Sequence, residues 1–132
     1  MTDKDIQSIR QSYTKIQNSS ARLAKYFYNR INELDGDLDP LFADDKANNG
    51  AGFTLLLNAA VNSLEDPKAL LPEIKNMEAK IKYYKLEADC MNTIGGAFID
   101  TLSFGFGKDF TPPVMNPWVA GFKTYAALFF TE

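Results

Sequence analysis

The chain has 132 residues, of which 45% are hydrophobic and 13% aromatic, enough for one buried core and too apolar for disorder. Fourteen basic and 17 acidic side chains leave a formal charge of −3, with no block of either sign that could track a phosphate backbone, so nucleic acid is not an expected partner. The absence of histidine and the single cysteine, Cys90, exclude Ser-His-Asp and Cys-His nucleophilic sites, imidazole proton shuttles and the ordinary zinc ligand sets.

The start, Met1-Thr2-Asp3-Lys4-Asp5, lacks the basic region and apolar run of a signal peptide, and no segment holds ~18 consecutive apolar residues. A soluble, cytoplasmic chain without a membrane partner is expected, which a lone cysteine fits. From Thr2 to about Gln17, residues Ile6, Ile9, Tyr13 and Ile16 share one helical face, and Thr2 with Asp5 forms a capping box with Asp in place of Glu. Asn18-Ser19-Ser20 interrupts the pattern and offers new caps. A second helix is predicted from about Ser20 to Leu34, burying Leu23, Phe27, Ile31 and Leu34 while Arg22, Lys25 and Arg30 face water. Asp35-Gly36-Asp37 reads as a turn, and Leu38 to Phe42 as a short apolar piece with Pro40 in a first helical turn.

Ala43 to Gly52 reads as a polar loop, and Phe53 to Leu64 as a helix buried on more than one side, with Asn58 and Asn62 on its wetter edge. Asp66-Pro67 starts a helix running from Lys68 to about Tyr84, interrupted early by Pro72. From Glu87, the spacing of Met91, Ile94, Phe98 and Leu102 predicts another helix. There Gly95-Gly96 lets a neighbour approach closely at ~1 kcal/mol per glycine. Phe104 to Asp109 reads as a connection. The last helix is capped by Thr111, opens at Pro112, and buries Val114, Trp118, Phe122, Tyr125 and Phe129. With no alternating strand pattern and no repeat, the expectation is an all-α single domain over residues 1–132.

Taken in order, several fragments resemble the haem domain of bacterial haemoglobins and flavohaemoglobins. Phe27-Tyr28-Asn29-Arg30-Ile31 is similar to their aromatic-tyrosine-x-arginine segment, and Leu38-Asp39-Pro40-Leu41-Phe42 to the short helix ending in their haem-stacking phenylalanine. Leu70-Leu71-Pro72, the glycine-led stretch from Gly95 to Leu102, and Asp109-Phe110-Thr111-Pro112-Pro113-Val114 with Trp118 extend the likeness over nearly the whole chain. The resemblance implies a globin-like fold, a three-over-three helical sandwich.

It also exposes departures. Counting forward from Leu70-Leu71-Pro72 and backward from Gly95 brings the family's proximal histidine onto Ile81, and the tyrosine supporting that histidine onto Met91. An imidazole gives iron a nitrogen lone pair; a branched hydrocarbon has none. The distal amide falls on Gly52, or on Asn49 if the loop is gapped differently, while Tyr28 and Phe42 are retained. The sequence ends after its last helix, so no reductase part is expected.

The resemblance thus implies a non-enzymatic binding or sensor module, haem-free or at best weakly haem-binding. Its apolar pocket, bounded by Tyr28, Phe42, Gly52, Phe53, Leu56, Ile81 and Met91, would take a small apolar ligand or a protein partner. No cofactor is expected. An emptied haem cavity would cost several kcal/mol at ~24 cal/mol per Å³, so side chains or a ligand must fill it. Phe53, Leu55, Leu56 and Leu57 are candidates for filling it, whereas Gly50, Ala51 and Gly52 would open its mouth. The alternative is a true haem protein with a non-histidine ligand, binding or consuming oxygen or nitric oxide. Lys80 and Lys82 flank Ile81 but are turned away from it along a helix and read as solvated, while Cys90 and Met91 read as core. A third reading is a packed domain acting through its surface, including a homodimer along Gly95-Gly96. Asp44-Asp45 and Asp35-Gly36-Asp37 lack the roughly twelve-residue spacing and closing glutamate of a calcium loop.

Overall fold

Helix α1 (Asp3–Ile16) starts at the expected capping box: Thr2 Oγ1 accepts from the Asp5 amide at 3.1 Å, and the Asp5 carboxylate accepts from the Thr2 amide at 3.3 Å. These contacts come from a computed structural model, which describes residues 2–43, 53, 57, 61–62, 64–87 and 89–128. Ile6, Ile9, Tyr13 and Ile16 are buried as their spacing requires, and Ser12 is buried among them. Asn18 to Ser20 forms no new side-chain cap. Gln17–Ser19 is a single 3₁₀ turn, and the Ser20 hydroxyl donates back to the Gln17 carbonyl at 2.7 Å instead of accepting from an amide.

Helix α2 (Ser20–Leu34) buries Leu23, Ala24, Phe27, Tyr28 and Ile31, but Leu34 is 44% exposed. The chain leaves the helix in extended backbone at Asp35, and the apolar surface passes to Leu38, Leu41 and Phe42 of the following 3₁₀ segment, Gly36–Phe42. Asp35 caps that segment by accepting from the Asp37 amide at 3.1 Å, and Pro40 lies inside it instead of in its first turn. Ala43, expected in a loop, is helical; the rest of that expected loop, including Asn49 and Gly52, lies outside the described residues. Phe53, Leu57 and Val61 are helical and buried at a spacing of one helix face, and Asn62 is exposed, whereas Leu55, Leu56 and Asn58 are outside the described residues.

Pro72 divides the next segment. Pro67–Leu70 is 3₁₀, and helix α3 (Leu71–Tyr83) begins with Pro72 in its first turn, where a missing N–H costs nothing. Its end is a Schellman motif: the Leu86 amide donates to the Ile81 carbonyl and the Lys85 amide to the Lys82 carbonyl, both at 3.0 Å. Lys85 occupies the left-handed position at φ 58°, where glycine is usual.

Helix α4 (Cys90–Phe106) runs through Phe104-Gly105-Phe106, which composition assigned to a connection. Gly105 is there for packing: a Cβ would lie 2.9 Å from Leu23 Cδ2. Gly107, at φ 58°, ends the helix. Helix α5 (Pro112–Ala126) opens at Pro112 as expected, although Thr111 makes no side-chain capping bond. Trp118 is buried, but Val114, Phe122 and Tyr125 are only partly so, because α5 packs on α1 and α4 along one side; Phe129 lies outside the described residues.

The described residues contain no strand. α2 makes its main contact with α4, α1 with α5, and α4 also touches α1 and α5, so one continuous apolar core runs through these helices. The segment Gly36–Phe42 bridges α2 and α3. Arg30 closes the α2–α4 contact from outside, its Nε 2.8 Å from Asp100 Oδ2, so it does not simply face water. No helix among the described residues is long and apolar enough to cross a membrane.

Candidate functional site

Five of the seven pocket residues expected from sequence fall within the described residues. Tyr28, Phe42, Phe53, Ile81 and Met91 are all buried and belong to the same apolar core. Gly52 and Leu56 lie outside the described residues.

Three elements bring the rings together. Tyr28 comes from α2, Phe42 from the end of the 3₁₀ segment, and Phe53 from a helical position further along the chain. Tyr28 and Phe42 have centroids 5.6 Å apart, and Tyr28 and Phe53 meet edge-on at 6.3 Å. Phe27, which periodicity marked only as core, joins all three: it lies 5.6 Å from Tyr28, 5.4 Å from Phe42 and 5.1 Å from Phe53. These are distances at which aromatic rings touch, and several pairs are edge-to-face, the favoured arrangement. The four rings thus pack directly on one another.

Ile81 reaches the same core from α3 and is 1% exposed. Lys80 and Lys82 are exposed on either side of it, as the helical step dictates. Cys90 and Met91 are buried at the start of α4. Burial, followed by the carboxylates of Asp89 and Asp35, pushes the Cys90 thiol above its ordinary pKa, leaving it a poor nucleophile and a small apolar filler. Met77 is partly buried against the core.

The position that the resemblance gives to the iron ligand carries no donor atom. Ile81 has no lone pair, the lysines beside it point to solvent, and among the described residues no three of Cys, Asp and Glu gather closely enough to hold a metal ion.

Sequence reasoning missed a second buried feature. Trp118 Nε1 donates to Ser12 Oγ at 2.9 Å, and the Ser12 hydroxyl lies 2.8 Å from the Ser8 carbonyl and 3.1 Å from that of Ile9. Ser8 Oγ in turn donates at 3.4 Å to the carbonyl of Pro113, the acceptor that Pro117 leaves unused four residues on because it has no N–H. The available signal was a lone hydroxyl, Ser12, within the apolar stripe of α1.

Around Trp118, rings from α4, α5 and the connection between them meet in pairs: Phe106 stacks on Phe110 at 5.7 Å, Phe98 on Phe122 at 5.7 Å, and Phe122 lies tilted against Tyr125 at 5.9 Å. Gly95 makes room for this, since a Cβ there would fall 2.5 Å from Phe122 Cε1. The close approach at Gly95 is therefore made within the chain, while Gly96 is exposed with open space above it.

No family model matches the chain, and comparison with curated proteins finds no match.

Proposed function

We propose that this chain is a haem-free, globin-like module that acts by binding and catalyses no reaction of its own. The burial of Ile81 supports this reading. At the position which the resemblance to bacterial haemoglobins gives to the iron ligand, a hydrocarbon sits in one core with Tyr28, Phe42, Phe53 and Met91. Side chains packed on one another in that volume would avoid the cost of an empty cavity without any prosthetic group.

The test is titration of the purified protein with haemin. A flat absorbance response is expected, and a strong, stoichiometric Soret band would overturn the reading. Should the band appear, replacing Lys80, Lys82, Met91 and Tyr28 in turn identifies an unexpected ligand by the variant whose spectrum shifts.

Two forms of binding follow, a small apolar ligand in the core or a protein partner on the surface. The mutual contact of Phe27, Tyr28, Phe42 and Phe53 favours the surface form, because a ligand would have to part these rings. Melting the protein with and without medium-chain fatty acids separates the two. A ligand bound only by the native state raises the melting temperature, and a module acting through its surface gives no shift.

A further inference from the structure

The end of α3 carries a feature that core packing does not explain. Tyr83 is 78% exposed and Tyr84 43% exposed, although large aromatic side chains are normally placed where they bury most of their area. Their rings meet edge to face, with centroids 5.0 Å apart and planes at 90°. Lys80, Lys82 and Lys85 stand close to them in the chain, all exposed.

Among the described residues none of these three lysines has a carboxylate within ion-pair distance, whereas Arg10 and Lys75 each have one and Arg30 has two. Their position complements the negative end of the helix dipole, which accounts for cations in the last turn. It leaves the exposed tyrosine pair unexplained. The corner is also held rigidly to the core, since the Schellman bond from Leu86 ends on the carbonyl of buried Ile81 and Lys85 is kept in left-handed backbone. Backbone strain of this kind concentrates where a local shape is used.

We infer that the Lys80–Lys85 corner is a docking surface for an acidic segment of a protein partner carrying an apolar or aromatic anchor. Charge complementarity selects the occupant: Lys80, Lys82 and Lys85 put three exposed cations on six residues of a chain whose net charge is −3, and the exposed carboxylates of Glu87 and Asp89 just beyond bound the patch, so attraction is confined to it and suits a short acidic stretch. A long polyanion would meet repulsion from the rest of the surface. The perpendicular rings also argue against single-stranded nucleic acid, which needs ring faces presented in succession to stacked bases. Tyrosine held in a fixed geometry is the usual anchor of a protein contact. The inference does not depend on whether the core takes a ligand or haem.

The test is peptide display on the intact protein, followed by titration of the selected peptides, an oligothymidylate and phosphatidylserine vesicles. Selected sequences should be enriched in Asp and Glu around an apolar residue. Tyr83→Ala and the combined Lys80→Gln, Lys82→Gln, Lys85→Gln variant should each weaken them by about tenfold or more, with melting temperature nearly unchanged. Tyr26→Ala, on α2, should have no effect on affinity. The inference is overturned if selection shows no acidic preference, if the corner variants bind as well as the parent, or if the oligonucleotide or vesicles bind more tightly than the peptides. Self-association abolished by the same variants would overturn it too, by making a second copy the occupant.

Discussion

Trp118 Nε1 donates to the hydroxyl of Ser12 at 2.9 Å, joining two residues 106 positions apart inside the core. Neither group could be left there without a partner, since an unsatisfied buried donor costs about 1–3 kcal/mol. Ser12→Ala should therefore destabilise the protein by about that amount. Trp118→Phe should cost less in the Ser12→Ala background than in the parent, because the stranded indole N–H is then gone. Denaturant unfolding of the two single variants and the double variant measures the coupling, and purely additive losses would show that the bond contributes nothing.

Replacing Ile81 by histidine restores the residue type that the globin resemblance calls for. With Ile81 buried in the shared core, the expected result is a loss of about 1–3 kcal/mol from burying an unmatched imidazole nitrogen, with no stoichiometric haemin uptake. Tight haemin binding by Ile81→His would instead mean that the rings of Tyr28, Phe42 and Phe53 move aside easily.

The paired glycines of α4 should respond in opposite directions. At Gly96 a Cβ meets nothing, so Gly96→Ala should stabilise by about 1 kcal/mol through helix propensity alone. At Gly95 the same atom strikes the Phe122 ring, and Gly95→Ala should lose about 1–3 kcal/mol despite the same propensity gain. Thermal melts of both variants side by side decide the point.

Lys85 adopts a conformation in which L residues are strained by roughly 1–2 kcal/mol. Lys85→Gly should raise stability by several tenths to about 1 kcal/mol, the relief being offset in part by glycine's greater freedom in the unfolded chain. Lys85→Ala keeps the strain and should gain nothing. Comparing the midpoints of urea unfolding for the two variants isolates the backbone contribution.

Alkaline pH should weaken the fold. Burial, followed by the charge of Glu73, pushes the Tyr125 hydroxyl up to about 12 from an ordinary 10.0, and burial raises that of Tyr13, whose oxygen has no hydrogen-bond partner among the described residues. Both pKa values are higher folded than unfolded, so their stabilisation is fully present below pH 10.0 and is lost as pH rises towards about 12, where the unfolded chain ionises first. Phenolate absorbance should show late-titrating tyrosine in the native protein, and Tyr125→Phe should reduce that late phase.

Helix boundaries were legible where a local group sets them. Thr2 and Asp5 define the start of α1, and Pro112 the start of α5, through bonds or constraints spanning a few residues. The end of α4 was not legible: Gly105 suggests a turn until Leu23, far away in sequence, is seen to occupy the space a Cβ would need. The site divides similarly. Placing Tyr28, Phe42 and Ile81 in one interior was an expectation of the resemblance, and their burial agrees with it, but the convergence of three segments on Phe27 is a tertiary result. Arg30 and Asp100 are 70 residues apart, and nothing local in either segment announces their pairing.

The Ser12–Trp118 bond also bears on how the protein is made. During synthesis α1 leaves the ribosome well before α5, so the face of α1 carrying Ile9, Ser12 and Ile16 must wait for nearly the whole described chain before its main packing partner exists. Until then that face is an exposed apolar surface on a growing chain, the sort that chaperones hold and that neighbouring nascent chains capture. The contact between α1 and α5 can form only late in synthesis, and the lifetime of the chain before it forms bears on its exposure to aggregation.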